Sequence, residues 1–136
     1  MPGWGWRLRQ LTDGPLGAGL AALVYGSWAA WANASAGTGV AVRVALTHAA
    51  LSAALTGCGT AWMRGFYRWG RSPWVGAGLA FVGGLALTYT LLIGVHQLIG
   101  TPHLLLTLAA GLLPTVLFCG GYAWLLGRTG LAAPSP

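Results

Sequence analysis

Hydrophobic positions along this chain fall into four long blocks, at residues 15–32, 40–63, 75–98 and 103–126, separated by short polar stretches. Each block reaches or approaches the roughly 20 residues that a helix needs to cross a hydrocarbon layer of about 30 Å. The blocks are too continuously apolar for the alternating strands of a membrane barrel. Lipid offers backbone amides no partner, so a helix, which satisfies them internally, is the predicted form of each block. The pattern predicts an all-α fold, an integral membrane four-helix bundle, with residues 1–136 as one transmembrane domain.

Residues at the block edges agree. Asp13 precedes Pro15, Thr38 lies before the second block, Ser72 precedes Pro73 and Thr101 precedes Pro102. These are helix-capping types, mostly followed by proline, which the first turn tolerates. Gly65, Gly100 and Gly127 fall where a helix end often needs a left-handed residue.

Composition names the solvent. Of 136 residues, 56% are hydrophobic and 6% charged, too few polar groups to coat a soluble core. The formal charge of +6 comes from seven arginines. They are dispersed and flank the apolar blocks, so they read as topology signals rather than a nucleic-acid surface, and no nucleic-acid partner is expected. Arg7 and Arg9 precede the first block, Arg64, Arg68 and Arg71 occupy the second loop, and Arg128 follows the fourth block. The loops at 33–39 and 100–102 carry no charge. The positive-inside rule then places both termini and the 64–74 loop in the cytoplasm of a bacterial-type cytoplasmic membrane. Trp4, Trp6, Trp62, Trp69, Trp74 and Trp124 gather on that side, with Trp28 and Trp31 at the opposite interface. A rival reading takes Arg7, Arg9 and the first block as a signal peptide, cleaved near Ala32-Asn33-Ala34 or Ala34-Ser35-Ala36. The first block is longer than the usual signal core and contains Tyr25, Trp28 and Trp31, which favours a retained helix.

Two internal patterns concern packing. Gly17-Ala18-Gly19-Leu20-Ala21 recurs as Gly76-Ala77-Gly78-Leu79-Ala80, and Cys58-Gly59 parallels Cys119-Gly120; the alternatives are a chance match in a chain rich in Gly, Ala and Leu, or two parallel-repeat helical hairpins, which would predict a site between them. Small residues recur every four positions at Gly76, Ala80 and Gly84 and at Ala18, Ala22, Gly26 and Ala30, a spacing that lets helices approach closely. Exposed stripes of this kind also suit a homo-oligomer or a membrane partner protein. Pro114 interrupts the fourth block and is expected to kink it.

Polar residues concentrate toward the non-cytoplasmic side. Arg43, Thr47 and His48 lie in the outer half of the second block, Tyr89, His96 and Gln97 in that of the third, and Thr101, His103 and Thr107 begin the fourth. Arg43 and Thr47 share a face at i, i+4, as do His103 and Thr107. Two helix N-termini, with their positive dipole ends, point the same way. The only acidic side chain, Asp13, is predicted across the membrane, so Arg43 needs a lipid phosphate, a bound anion, another subunit or water. Arg43, Thr47, His48, His96, Thr101, His103 and Thr107 together form the predicted ligand face, for a small anion or an anionic lipid headgroup.

Other chemistries are narrower. His48 could pair with His96 or His103 as axial haem ligands in a bundle, although no cofactor is the leading expectation. No metal site is expected, since a histidine-only zinc site lacks diagnostic spacing. Cys58 and Cys119 form no CxxC pair and read as buried structural thiols. With one carboxylate, paired-acid hydrolysis is excluded, and no serine has a His–acid relay. Small multidrug transporters require a membrane-embedded glutamate, and quinone-coupled disulfide oxidases require outward cysteine pairs; neither is present. Small polyprenyl-sugar flippases match in size and span number, without a shared motif. The chain is expected to be a non-enzymatic, transporter-like or accessory membrane protein, with an assembly subunit of a larger complex as the alternative.

Overall fold

The computed structural model describes residues 15–131. Four α-helices follow one another: α1 (Pro15–Ala32), α2 (Thr38–Tyr67), α3 (Pro73–Leu98) and α4 (Leu104–Thr129), with a short 3-10 turn, Ala34–Ala36, between α1 and α2. Helices α2, α3 and α4 are each long and apolar enough to cross a membrane. At 30 and 26 residues they run about 45 and 39 Å, beyond the hydrocarbon thickness of a bilayer. Helix α1, with 18 residues and about 27 Å, is the shortest of the four. This is a membrane protein with its apolar side chains turned outward. Leu23, Leu46, Val82, Leu105, Leu113 and Leu117 are all more than 60% exposed, as a lipid-facing surface requires.

Connections of a few residues make consecutive helices antiparallel neighbours, and α1 also touches α4, which closes the ring. Small residues set the seams. A Cβ built at Gly26 would lie 2.9 Å from the Ala49 Cβ, so α1 meets α2 almost backbone to backbone. On α3, Gly76, Ala80 and Gly84 are buried, with Gly84 against Met63 and Gly76 against Tyr67. The α3 stripe is therefore used inside the bundle rather than left for a second copy. Met63, Ala80, Cys119, Ala123 and Leu126 form the packed core near the 68–72 turn.

Several helix boundaries differ from the sequence expectation. Ser72 caps α3 as predicted, accepting from Val75 N at 3.3 Å, and Gly100 turns the chain after α3 with φ +66°. Thr38 and Thr101 do not cap: Gly37 and His103 occupy those positions, and neither offers a side-chain capping bond. Gly65 and Gly127 lie inside α2 and α4, which continue to Tyr67 and Thr129, and Gly130, with φ +64°, is the true stop. Arg64 consequently belongs to α2, and its Nε donates to Tyr122 Oη at 2.6 Å. Helix α4 runs through Pro114 without a break. Cys58 is exposed, unlike the buried Cys119, so the matched cysteines of the two hairpins occupy different environments. Asp13, Arg7, Arg9, Trp4 and Trp6 lie outside the described residues.

Candidate functional site

At the end of the bundle that carries the 33–37 and 99–103 connections, polar side chains form two separate networks. The first is a relay. His48 Nδ1 lies 2.7 Å from His96 Nε2, and His96 Nδ1 lies 2.8 Å from Thr101 Oγ1. His48 and His96 are 3% and 0% exposed. Helix α2 delivers His48 on the buried stripe Ala41, Val44, His48, Ser52; α3 delivers His96 in its last turn, and the tight turn at Gly100 folds Thr101 back onto it. Each imidazole hydrogen bond needs one donor and one acceptor nitrogen, so the two rings must adopt matched tautomers. A nitrogen pair 2.7 Å apart is a hydrogen bond.

The second network centres on Asn33, which is fully buried. Its Nδ2 donates to Ala29 O at 2.9 Å and to Thr107 Oγ1 at 2.8 Å, and its Oδ1 accepts from His103 N at 3.2 Å. Thr107 Oγ1 in turn donates to His103 O at 2.8 Å. The ring is closed and every Asn33 donor is used. Trp28 Nε1 adds a bond to Leu106 O at 2.8 Å, and Ser35 Oγ sits 3.3 Å from His103 Nε2. These bonds pin α1 to the start of α4. Asn33 was missed as a site residue because its partners lie about seventy positions away; the available signal was a lone carboxamide closing an apolar block.

The seven predicted ligand residues therefore divide. His48, His96 and Thr101 join in the relay, and His103 and Thr107 in the Asn33 ring. Arg43 is exposed beside Val42, off the buried stripe of α2, and makes no side-chain hydrogen bond among the described residues; Thr47 is half-buried. They do not converge on one anion.

Below the relay the bundle is hollow. A cavity of about 360 Å³ is lined by all four helices and reaches from His48 to Met63 along α2, about 22 Å by the helical rise. Its walls are mostly apolar, with His48, Ser52 and Thr56 as a polar strip at i, i+4, i+8 on α2 and with Thr88, Thr115 and Tyr25 on the other helices. Among the described residues no charged side chain lines it. Glycine makes the room: Gly59 and Gly111 both line the cavity, and a Cβ at either would meet nothing closer than 3.7 Å. Leu20, Val24 and Pro114 line the cavity and are also exposed, so its mouth lies between α1 and α4, opening sideways toward lipid. Tyr89 Oη is buried without a hydrogen-bond partner among the described residues. No family model, characterised protein or solved structure matches this chain.

Proposed function

We propose that this protein is a small non-enzymatic membrane protein, transporter-like or accessory, that takes a lipophilic molecule from the bilayer into the hollow of its bundle. The observation that carries this reading is the cavity: long, largely apolar, without a charged side chain among the described residues, and open between α1 and α4. Ligand sites in bundles are commonly built between facing helices, with apolar walls and a few placed polar groups. The α1–α4 seam suits entry, because its hydrogen bonds, at Trp28, Asn33 and Ser35, all lie at one end. Arg64, Arg68, Arg71 and Arg128 mark the other end. In this reading that end faces the cytoplasm of a bacterial-type membrane, and the histidine relay lies near the outer leaflet.

Native mass spectrometry after gentle extraction tests the proposal. Wild-type protein is expected to retain a small lipophile at one per chain, and Gly111→Phe, which fills the space above a residue with no close neighbour, is expected to lose it. Equal retention by both would place the molecule elsewhere and remove the reading.

A second reading has its own observation. Arg43, exposed one turn into α2, suits an anionic lipid headgroup on the outer surface. Arg43→Ala is then expected to reduce co-purifying anionic lipid, whereas His103→Ala is not, since His103 is turned toward Ser35. Undiminished lipid in Arg43→Ala would end it.

A further inference from the structure

We infer that the head of the cavity's ligand is a neutral hydroxyl, an alcohol or phenol carried on a single apolar tail, and that it is recognised by Nε2 of His48. This rests on the cavity reading and names its ligand class. Three observations lead there. His48 is 97% buried by its 3% exposure and lines the cavity. Its Nδ1 is committed to His96, which leaves Nε2, on the opposite edge of the ring, with no partner among the described residues. Tyr89 Oη is the one fully buried, unpartnered side-chain atom among the described residues, so His48 Nε2 is not sealed in protein but accessible from the cavity, where a ligand group can meet it.

Charge excludes ionic heads. Among the described residues no arginine or carboxylate lines the cavity, so an ion taken from water into this apolar slot would find no counter-charge there to offset its lost hydration. The relay suits a hydroxyl in either of its tautomeric states, whereas a group that only donates or only accepts fits one of them. In one tautomeric arrangement His48 Nδ1–H donates to His96 Nε2, and His48 Nε2 offers a lone pair to the cavity. In the other, His96 Nε2–H donates to His48 Nδ1, and His48 Nε2–H faces the cavity, while Thr101 Oγ–H donates to His96 Nδ1. Both arrangements keep both internal hydrogen bonds. A hydroxyl is the simplest neutral head that fits either, donating to the first and accepting from the second. Shape supports a single tail, because the cavity extends about 22 Å from His48 with few polar groups at its far end near Met63.

Imidazole nitrogen NMR of the full chain in micelles, labelled with 15N-histidine, tests this with three probes that share one octylphenyl tail: 4-octylphenol, 4-octylanisole and octylbenzene. Three histidines make the spectrum tractable. The phenol is expected to move the His48 Nε2 resonance saturably, with an apparent affinity about two- to tenfold above that of octylbenzene, as one added hydrogen bond implies. The anisole, which cannot donate, should fall between them, and His103 should stay unmoved as the folding control. His48→Phe should bind phenol and octylbenzene alike. Equal binding of phenol and octylbenzene to the wild type overturns hydroxyl recognition while leaving the cavity reading intact. Saturable binding of none of the three overturns the cavity reading itself.

Discussion

Replacing Asn33 by alanine removes the residue that joins the end of α1 to the start of α4. Three hydrogen bonds go: Nδ2 to Ala29 O, Nδ2 to Thr107 Oγ1, and His103 N to Oδ1. Thr107 keeps its bond to His103 O, but the His103 amide loses the acceptor that the rest of the bundle supplied. Side-chain hydrogen bonds between membrane helices average about 0.6 kcal/mol, and buried ones in proteins generally contribute about 0.5–1.5 kcal/mol each. Three of them, with one amide left wanting, give a loss of about 2–4 kcal/mol. Reversible unfolding in mixed micelles, followed by helical circular dichroism, measures it. Ser35→Ala is the control: the Ser35–His103 contact is exposed and 3.3 Å long, so its loss should cost under about 0.5 kcal/mol. A double-mutant cycle with Thr107→Val should return a coupling of about 0.5–1.5 kcal/mol. An Asn33→Ala protein as stable as Ser35→Ala, or a coupling of zero, would refute the closed ring.

Other expectations follow from particular contacts. Gly26→Ala should destabilise by about 1–3 kcal/mol, because its Cβ would meet Ala49 at 2.9 Å and Ala45 O at 3.3 Å, whereas Gly19→Ala, with nothing within 4 Å, should be neutral or stabilising by up to about 1 kcal/mol; the same unfolding assay ranks the pair, and the reverse order would contradict the α1–α2 seam. Tyr122→Phe removes the acceptor for Arg64 Nε and should cost about 1–2 kcal/mol, with no such loss when Tyr122→Phe is placed in an Arg64→Met background. Intact-mass measurement of protein from membranes should show α1 retained, since Asn33 and Gly26 build it into the bundle; a mass corresponding to cleavage near residues 34–36 would show otherwise.

The sequence was legible where local physics decides. Blocks of apolar residues become helices because lipid leaves the backbone no alternative, and Ser72-Pro73 caps α3 because both residues act within one turn. It was less legible where a neighbouring element intervenes. Gly65 and Gly127 resemble stops, yet Gly127 packs against Trp74 and the helix continues past it. Thr101 resembles a cap, yet its hydroxyl is engaged by His96. The histidines were visible as a cluster on one side, but that His48 and His96 bond each other across 48 positions is a tertiary fact. The cavity was hidden in the glycine content. Gly26 and Gly59 look alike in a string; one lets helices touch, and the other leaves space between them.

The central claim, that lipophiles enter the bundle between α1 and α4, is tested most directly by photolabelling in liposomes with a diazirine placed in the tail of 4-octylphenol, followed by mapping of the adducts. Adducts are expected on the interior residues Ser52, Thr56 and Thr88, suppressed by Gly111→Phe. Adducts confined to outward residues such as Leu46, Val82 and Leu105, and unchanged by Gly111→Phe, would contradict it.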